Sequence, residues 1–123
     1  MRVGKITEAE VDVLKYLWHE GREIPSKEIL DYFNQEENRG WKKQNLNNFL
    51  SRLLKRGLIK RISQDRRYLY APLVSEQEFE TCQAEHFLNS MYGGSLFNFV
   101  SALSGGEIIS QNEADEIKKL LED

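Results

Sequence analysis

The chain has 123 residues, of which 40% are hydrophobic and 30% are charged, which is typical of one globular domain with a short appended segment. One cysteine and two histidines are too few for a disulfide framework or a structural zinc site, and no apolar run approaches the ~18 residues of a membrane span. The net charge of −3 does not by itself suggest a nucleic-acid partner, and the N-terminus lacks the apolar core of a signal peptide, so we expect a cytoplasmic protein.

The first forty residues predict two short helices. Thr7 to Glu10 form a capping box, in which the Thr7 hydroxyl caps the first turn and Glu10 reaches back to the cap. Gly21 is a stop signal for this helix. A second helix is predicted to start with Ser26 as its N-cap, and residues 34–40 form a polar loop. The predicted buried face of the second helix is Ile29, Leu30 and Phe33.

A third helix is predicted from residue 42 to residue 56. Its apolar residues recur at helical spacing and form one broad stripe, and Gly57 follows as a stop signal. The opposite face is polar and carries four amide side chains, although asparagine is a poor helix former. The stripe consists of Leu46, Phe49, Leu50, Leu53 and Leu54, and the amides are Gln44, Asn45, Asn47 and Asn48.

After the third helix the hydrophobic pattern changes from helical to alternating. Residues 58–62 and 68–71 are strand candidates around a turn at residues 63–67, and Pro72 ends the second strand. Three helices followed by a hairpin are the order of a winged helix-turn-helix. The predicted fold is therefore mainly α with a small β-hairpin wing, and residues 1–74 form the winged-helix domain.

Residues 75–123 predict three further helices. Capping boxes begin at Ser75 and Ser110, and glycine pairs at 93–94 and 105–106 interrupt the helical pattern. These helices carry too much apolar surface for an independent core, so we expect a dimerisation region that packs against a second copy. The residues predicted to form that interface are Phe79, Phe87, Met91, Leu96, Phe97, Phe99, Val100, Leu103, Ile117, Leu120 and Leu121.

The charges are strongly segregated along the chain. Residues 41–67 carry nine bases and one acid, a balance of +8, whereas residues 76–123 carry a balance of −8. Such a basic cluster indicates a polyanion partner. The alternative is a solvated face whose counter-charges lie nearby in the folded protein.

Little in the sequence points to catalysis. Cys82 and His86 are four residues apart on one predicted helix, but its acidic surroundings would not activate a thiol. The glycine pairs lack the lysine and the strand context of a phosphate-binding loop. We therefore expect no catalytic residues, no cofactor and no metal, with Cys82 as a small buried side chain.

Recognition of DNA by the third helix has a direct physical basis. Gln44, Asn45 and Asn48 lie near its start, and amide side chains can pair with adenine in the major groove. Arg52 could reach a base or a phosphate, and arginines of the hairpin would contact phosphates, which position the protein without reading sequence. Trp41 could donate its indole N–H to a phosphate, although packing is the more frequent role of tryptophan. The predicted DNA-contacting set is Trp41, Lys42, Lys43, Gln44, Asn45, Asn48, Arg52, Arg61, Arg66 and Arg67.

A second hypothesis for the same face is a winged-helix module that binds a protein partner and no DNA. Protein interfaces favour aromatic residues and arginine, whereas this face is rich in asparagine and glutamine. The composition of the third helix therefore favours DNA.

Several segments resemble the penicillinase and copper-transport repressors of bacteria. They are residues 6–18, Gly40-Trp41, residues 50–58, residues 68–75 and residues 93–96, so the resemblance extends over most of the chain. It implies a winged helix with a C-terminal dimerisation region, and repression by a homodimer bound to palindromic double-stranded operator DNA. Members of this family often carry Pro-Lys-Thr where this chain has Lys43-Gln44-Asn45, so the implied reading role falls on Gln44, Asn45 and Asn48. At the wing tip, Asp65 replaces the usual glycine, and Asp tolerates a left-handed conformation.

The same resemblance implies two modes of induction. The copper-responsive branch binds metal through clustered C-terminal cysteines, which residues 110–123 lack, so soft-metal sensing of that type is excluded. The antibiotic-responsive branch is inactivated by proteolysis at an Asn–Phe bond in the C-terminal region, which implies a sensor protease as a partner. Asn98-Phe99 provides such a bond, but it lies a few positions before the place where the family's bond would fall. Ser101-Ala102 occupies the better-aligned position. The alternative is that Phe99 is only a buried dimer contact.

Overall fold

A computed structural model describes residues 3–106 and 108–122 of the chain. Six α-helices and three β-strands lie in those residues, and they form two compact units, the first ending at Gln83 and the second beginning at Ala84. The predicted class, mainly α with a small hairpin wing, is confirmed. The elements are α1 (Glu8–Glu20), β1 (Ile24–Pro25), α2 (Ser26–Gln35), α3 (Lys43–Lys55), β2 (Ile59–Gln64), β3 (Arg67–Pro72), α4 (Glu76–Tyr92), α5 (Leu96–Ser104) and α6 (Gln111–Glu122).

The core of the first unit lies between α1, α2, α3 and the sheet. The predicted stripe of α3 is confirmed, since Leu46, Leu50 and Leu53 are fully buried. Burying a leucine side chain contributes about 1.5–3 kcal/mol, so these three residues hold α3 against the core. The opposite side of α3 is left to solvent.

The start of α1 differs in part from the predicted capping box. Thr7 is the N-cap, and its hydroxyl accepts a hydrogen bond from the Glu10 backbone N–H at 3.3 Å. The Glu10 side chain does not reach back, because it is buried and its Oε1 accepts a hydrogen bond from Arg52 Nη1 at 3.4 Å. An ion pair across the core replaces the expected local bond.

The strand β1 was not predicted from the sequence. Its two residues pair with β3 in antiparallel register, Ile24 opposite Tyr70, so the sheet has three strands in the order β1-β3-β2. Two residues are too few for an alternating pattern, and Pro25 disfavours a strand. Ser26 is the first residue of α2 and not its N-cap, a position held by the extended Pro25.

The hairpin is longer and its turn tighter than predicted. Gln64 pairs with Arg67, so the turn contains only Asp65 and Arg66 instead of residues 63–67. Both have positive φ angles, 49° and 65°, as a two-residue turn of type I′ requires. Asp65 therefore adopts the left-handed conformation expected of it. Arg66 adopts the same conformation, although arginine, unlike Asp, does not favour it.

The start of α4 belongs to the core of the first unit. Ser75 and Glu78 form the predicted reciprocal capping box, with both hydrogen bonds at 3.0 Å. Phe79 is 2% exposed, and its ring lies 5.5 Å from that of Trp18. Phe79 is thus a core residue of its own chain, which corrects its assignment to the dimer interface.

The second unit contains the rest of α4, with α5 and α6. Gly93 and Gly94 end α4 with φ angles of 59° and 80°, which explains the predicted break. The rings of Phe87, Tyr92 and Phe99 form a small cluster with centroids 5.3–6.0 Å apart. None of the helices in the described part of the chain is long and apolar enough to cross a bilayer.

Candidate nucleic-acid interface

The exposed side of α3 carries the polar residues that the sequence singled out. Lys43, Gln44, Asn45 and Asn48 are all exposed, and Lys42 is the exposed N-cap. A helix with an apolar side fixed in the core and a row of amides in solvent can present those amides to a groove or a partner.

The amide side chains are not equivalent. Asn45 Oδ1 accepts a hydrogen bond from the Lys42 backbone N–H at 2.8 Å, so it satisfies an otherwise free donor at the start of α3. Gln44 Nε2 donates to Asn48 Oδ1 at 3.1 Å, one turn along the helix. One amide therefore serves the helix itself, and the other two form a pair.

The chain leading into α3 is held by Asn34, which the sequence pattern did not single out. Its Oδ1 accepts from the Trp41 backbone N–H at 2.7 Å, and its Nδ2 donates to the Trp41 carbonyl at 2.9 Å. The Trp41 ring is half-buried and stacks on Phe33 with centroids 4.5 Å apart. Packing, one of the two predicted roles of Trp41, is observed, and the contact of its indole N–H with a phosphate stays a prediction. Asn34 lies in the last turn of α2, where the sequence predicts the start of a polar loop, and a lone asparagine carries no sequence signal for such a pair of hydrogen bonds.

Arg39 holds the loop before α3 in a second way. Its Nη2 lies 2.7 Å from Asp12 Oδ2 and 2.9 Å from Glu37 Oε1, and its guanidinium lies over the Trp41 ring at 5.5 Å. The hydrogen bond to Asp12 is the main reason why the pKa of Arg39 is raised. The start of α3 is thus fastened to α1 by an ion pair that sequence reasoning missed.

Two arginines at the end of α3 face the buried Glu10. Arg52 Nη1 lies 3.4 Å from Glu10 Oε1, and Arg56 Nε lies 3.9 Å from Glu10 Oε2. Arg56 also donates to the carbonyl of Lys5 at 2.9 Å. The Arg52 side chain remains 53% exposed, so a second anion can still reach it.

The wing presents three arginines. The Arg61 guanidinium lies 4.2 Å from the centroid of Tyr68, a cation–π contact that restrains it on the strand surface. Arg66 occupies the turn itself, and Arg67 begins β3. All three are exposed.

The described residues supply only one of the counter-charges that the solvated-face alternative requires. Among them, Glu10 is the single acid within 4.0 Å of a base from residues 41–67, and it faces only Arg52 and Arg56. By contrast, Arg22 and Arg39 each face two acids outside this segment. Most cations of α3 and the wing therefore remain free for an external anion.

The second unit has a large exposed apolar surface. Phe97, Leu120 and Met91 are 79%, 74% and 65% exposed. Other predicted interface residues are exposed or half-buried, namely Phe87, Leu96, Phe99, Val100, Leu103, Ile117 and Leu121, and Ile108, which was not predicted, is 68% exposed.

The bond between Asn98 and Phe99 lies in the first turn of α5. The Asn98 backbone N–H donates to the Ser95 hydroxyl at 3.1 Å. Phe99 is half-buried in the aromatic cluster, with its ring 5.3 Å from that of Tyr92. In this conformation the bond is helical.

Comparison with known proteins gives a consistent result over the whole length. A family model described as "Penicillinase repressor" matches residues 6–123. The penicillinase repressor of Bacillus licheniformis is 25% identical over 122 residues, which cover 99% of this chain and 93% of that protein. The penicillinase repressor of Staphylococcus aureus is 26% identical over 119 residues, with 97% and 92% covered.

A similarity to a solved structure supports the fold. The solution structure of the DNA binding domain of the repressor BlaI matches with a TM-score of 0.54 at 23% sequence identity, covering 63% of this chain and 90% of that domain. The predicted winged-helix architecture of the N-terminal region is therefore confirmed.

Proposed function

Because this chain belongs to the penicillinase repressor family, we propose that it is a cytoplasmic, homodimeric repressor that binds palindromic operator DNA and has no catalytic activity. One observation carries the proposal: α3 and the wing of a winged helix expose amides and cations, and of these exposed cations only Arg52 lies within 4.0 Å of an acid of the described residues. A helix of this kind can enter the major groove while the wing follows the backbone.

The exposed residues divide by the kind of contact that their chemistry allows. Gln44 and Asn48 form an exposed amide pair that can face base edges, and Asn45 contributes by capping the helix. Lys42, Lys43 and Arg52 line the same helix, and Arg61, Arg66 and Arg67 lie on the wing, where cations contact phosphates. Trp41 supports the start of α3 by packing its ring on Phe33.

Binding of duplex DNA is tested by titration of the full chain at several salt concentrations. Arg66→Ala should weaken binding to all sequences alike and reduce the slope of log K against log salt by about 0.9, the value for one phosphate contact. Lys118→Ala is the matched control, because it removes an exposed cation from α6 and should leave the slope unchanged. The absence of salt-sensitive duplex binding would contradict the proposal and favour a module that binds a protein partner.

The proposal includes a dimer formed by the second unit. A monomer reads few base pairs, whereas a dimer places two recognition helices about one turn of DNA (~34–36 Å) apart. The exposed apolar residues of α5 and α6 support this arrangement, since a monomer rarely leaves so much apolar surface in water.

Sedimentation at micromolar concentration tests the dimer. The wild type should sediment at twice the chain mass of 14.4 kDa, and Phe97→Asp should convert it to the monomer and weaken operator binding. Ala102→Asp adds the same charge at an exposed position of the same helix, about 140° around the axis from Phe97, and it should leave the dimer largely intact. A monomeric wild type would contradict the dimer.

Relief of repression by a sensor protease at Asn98–Phe99 completes the proposal. Because the bond is in the first turn of α5, that turn must unfold before a protease can take an extended substrate. Mass spectrometry of the chain after induction should find fragments that end at Asn98 and begin at Phe99. An intact chain after induction would exclude proteolysis. Fragments that end at Ser101 and begin at Ala102 would instead assign the cleavage to the Ser101–Ala102 bond.

A further inference from the structure

We propose that Gln44 reads an adenine in the operator and that Asn48 is the residue that positions its amide, whereas Asn45 reads no base. This inference rests on the proposed function, since it assigns roles within the DNA-binding face of α3. The sequence assigns base reading to Gln44, Asn45 and Asn48 alike, whereas here each of the three has a different role.

A hydrogen bond joins the two amides Gln44 and Asn48. Gln44 and Asn48 are exposed, are four residues apart, and therefore lie on the same side of α3. Gln44 Nε2 donates one of its two N–H groups to Asn48 Oδ1 at 3.1 Å. A flexible glutamine is thereby restrained, which reduces the entropy lost when it binds a base.

The bond to Asn48 leaves Gln44 with a reduced set of hydrogen-bonding groups. With the N–H that points away from Oε1 donated to Asn48, the Gln44 amide keeps one N–H donor and the Oε1 acceptor side by side on one edge. In the major groove, adenine presents the matching neighbours, the N7 acceptor and the N6–H donor. Guanine presents two acceptors, N7 and O6, so it requires two donors, and Gln44 has already given one to Asn48. The pair is therefore selective for adenine.

The neighbouring amide, Asn45, is bonded to the backbone. Asn45 Oδ1 accepts from the Lys42 backbone N–H at 2.8 Å, which directs the amide at the backbone of the helix start, whereas a bidentate contact with adenine needs the amide turned to a base edge. Releasing it would leave a donor at the start of α3 unsatisfied. Asn45 is thus a helix cap, not a reader.

The experiment begins with the preferred duplex of the full-length wild type, selected from a random pool. Binding is then measured for that duplex and for versions with each base pair exchanged in turn, and the ratio between them is the readout. Within one protein this ratio cancels general changes in affinity, including the effect of an added negative charge. The wild type should prefer adenine at one position of each half-site by about 5- to 150-fold, the range of one bidentate contact.

The variants separate reading from positioning. Gln44→Ala should abolish the preference at that position and at no other. Asn48→Ala should reduce the preference at the same position, and Asn48→Asp should restore it, because a carboxylate oxygen still accepts from Gln44 Nε2. Asn45→Ala and Asn45→Asp should both retain the preference, and only Asn45→Ala, which removes the acceptor, should lower the melting temperature.

Three results would overturn the inference while leaving the proposed function intact. They are an unchanged base preference at every position in Gln44→Ala, a loss of base preference at a different base pair in Asn48→Ala, and a loss of the adenine preference in Asn45→Asp. If the wild type binds no duplex in a salt-sensitive manner, the proposed function fails as well. The two failures are therefore distinguishable.

Discussion

Replacing the buried Glu10 by methionine should leave the protein as stable as before or make it more stable. The Glu10 side chain is 1% exposed, and its Oε2 has no hydrogen-bond partner in the described residues. At an effective dielectric constant of about 20, an ion pair at these distances is worth about 4–5 kcal/mol before desolvation. Removing a carboxylate from water costs several kcal/mol, so the two effects nearly cancel.

The partners of Glu10 determine the sign of the expected change. The Arg52 side chain is 53% exposed, so after Glu10→Met its guanidinium can be hydrated. We expect a change in unfolding free energy between zero and about 2 kcal/mol in favour of the variant. In Arg52→Met the carboxylate stays buried and faces only Arg56, 3.9 Å away, and the loss should be about 2–3 kcal/mol, below the usual value for a fully buried pair.

Urea denaturation of the two single variants and the double variant measures these values. The double variant should be more stable than Arg52→Met alone, because it no longer contains the buried carboxylate, and Arg56 keeps its hydrogen bond to the Lys5 carbonyl. Glu8→Met is the matched control, since Glu8 lies in the same turn but is exposed, and it should change stability by less than about 0.5 kcal/mol. A loss of more than about 2 kcal/mol in Glu10→Met would refute the balance of desolvation against attraction.

Three further predictions address the wing, the start of α3 and the start of α4. Arg66→Gly should stabilise the protein by about 1 kcal/mol in urea denaturation, because it relieves a left-handed non-glycine residue, yet it should weaken duplex binding in a titration; a loss of stability would contradict this. Asn34→Ala should cost about 2 kcal/mol of unfolding free energy, since it removes both hydrogen bonds to the Trp41 backbone, and Asn34→Asp, which keeps the acceptor, should cost less. The pKa of Glu78 is lowered by hydrogen bonds from the backbone N–H and then the hydroxyl of Ser75. This cap therefore stabilises the folded state above the unfolded pKa of Glu78 and is lost as the pH falls through the folded pKa. Ser75→Ala should raise the Glu78 titration midpoint measured by NMR, and an unchanged midpoint would contradict the assignment.

Features that depend on neighbours in the chain were well predicted. The stripe of α3 repeats every three to four residues, so Leu46, Leu50 and Leu53 could be assigned to the core from spacing alone. The Ser75 capping box and the break at Gly93-Gly94 also follow from local hydrogen bonding and backbone freedom. For the same reason the amide-rich side of α3 could be located from helical periodicity alone.

The tertiary structure decided what each of these residues does. The sequence by itself determined the winged-helix order, the segregation of charge and the candidate reading helix, because these follow from periodicity and composition. Only the folded chain brings Glu10 to Arg52 and Asn34 to Trp41, and only there is Phe79 buried in its own unit. The fold also places Asn45 as a cap of α3 and joins Asn48 to Gln44 by a hydrogen bond. A side chain with several hydrogen-bonding groups has many partners available in the sequence, and which of them it meets depends on distances that folding sets.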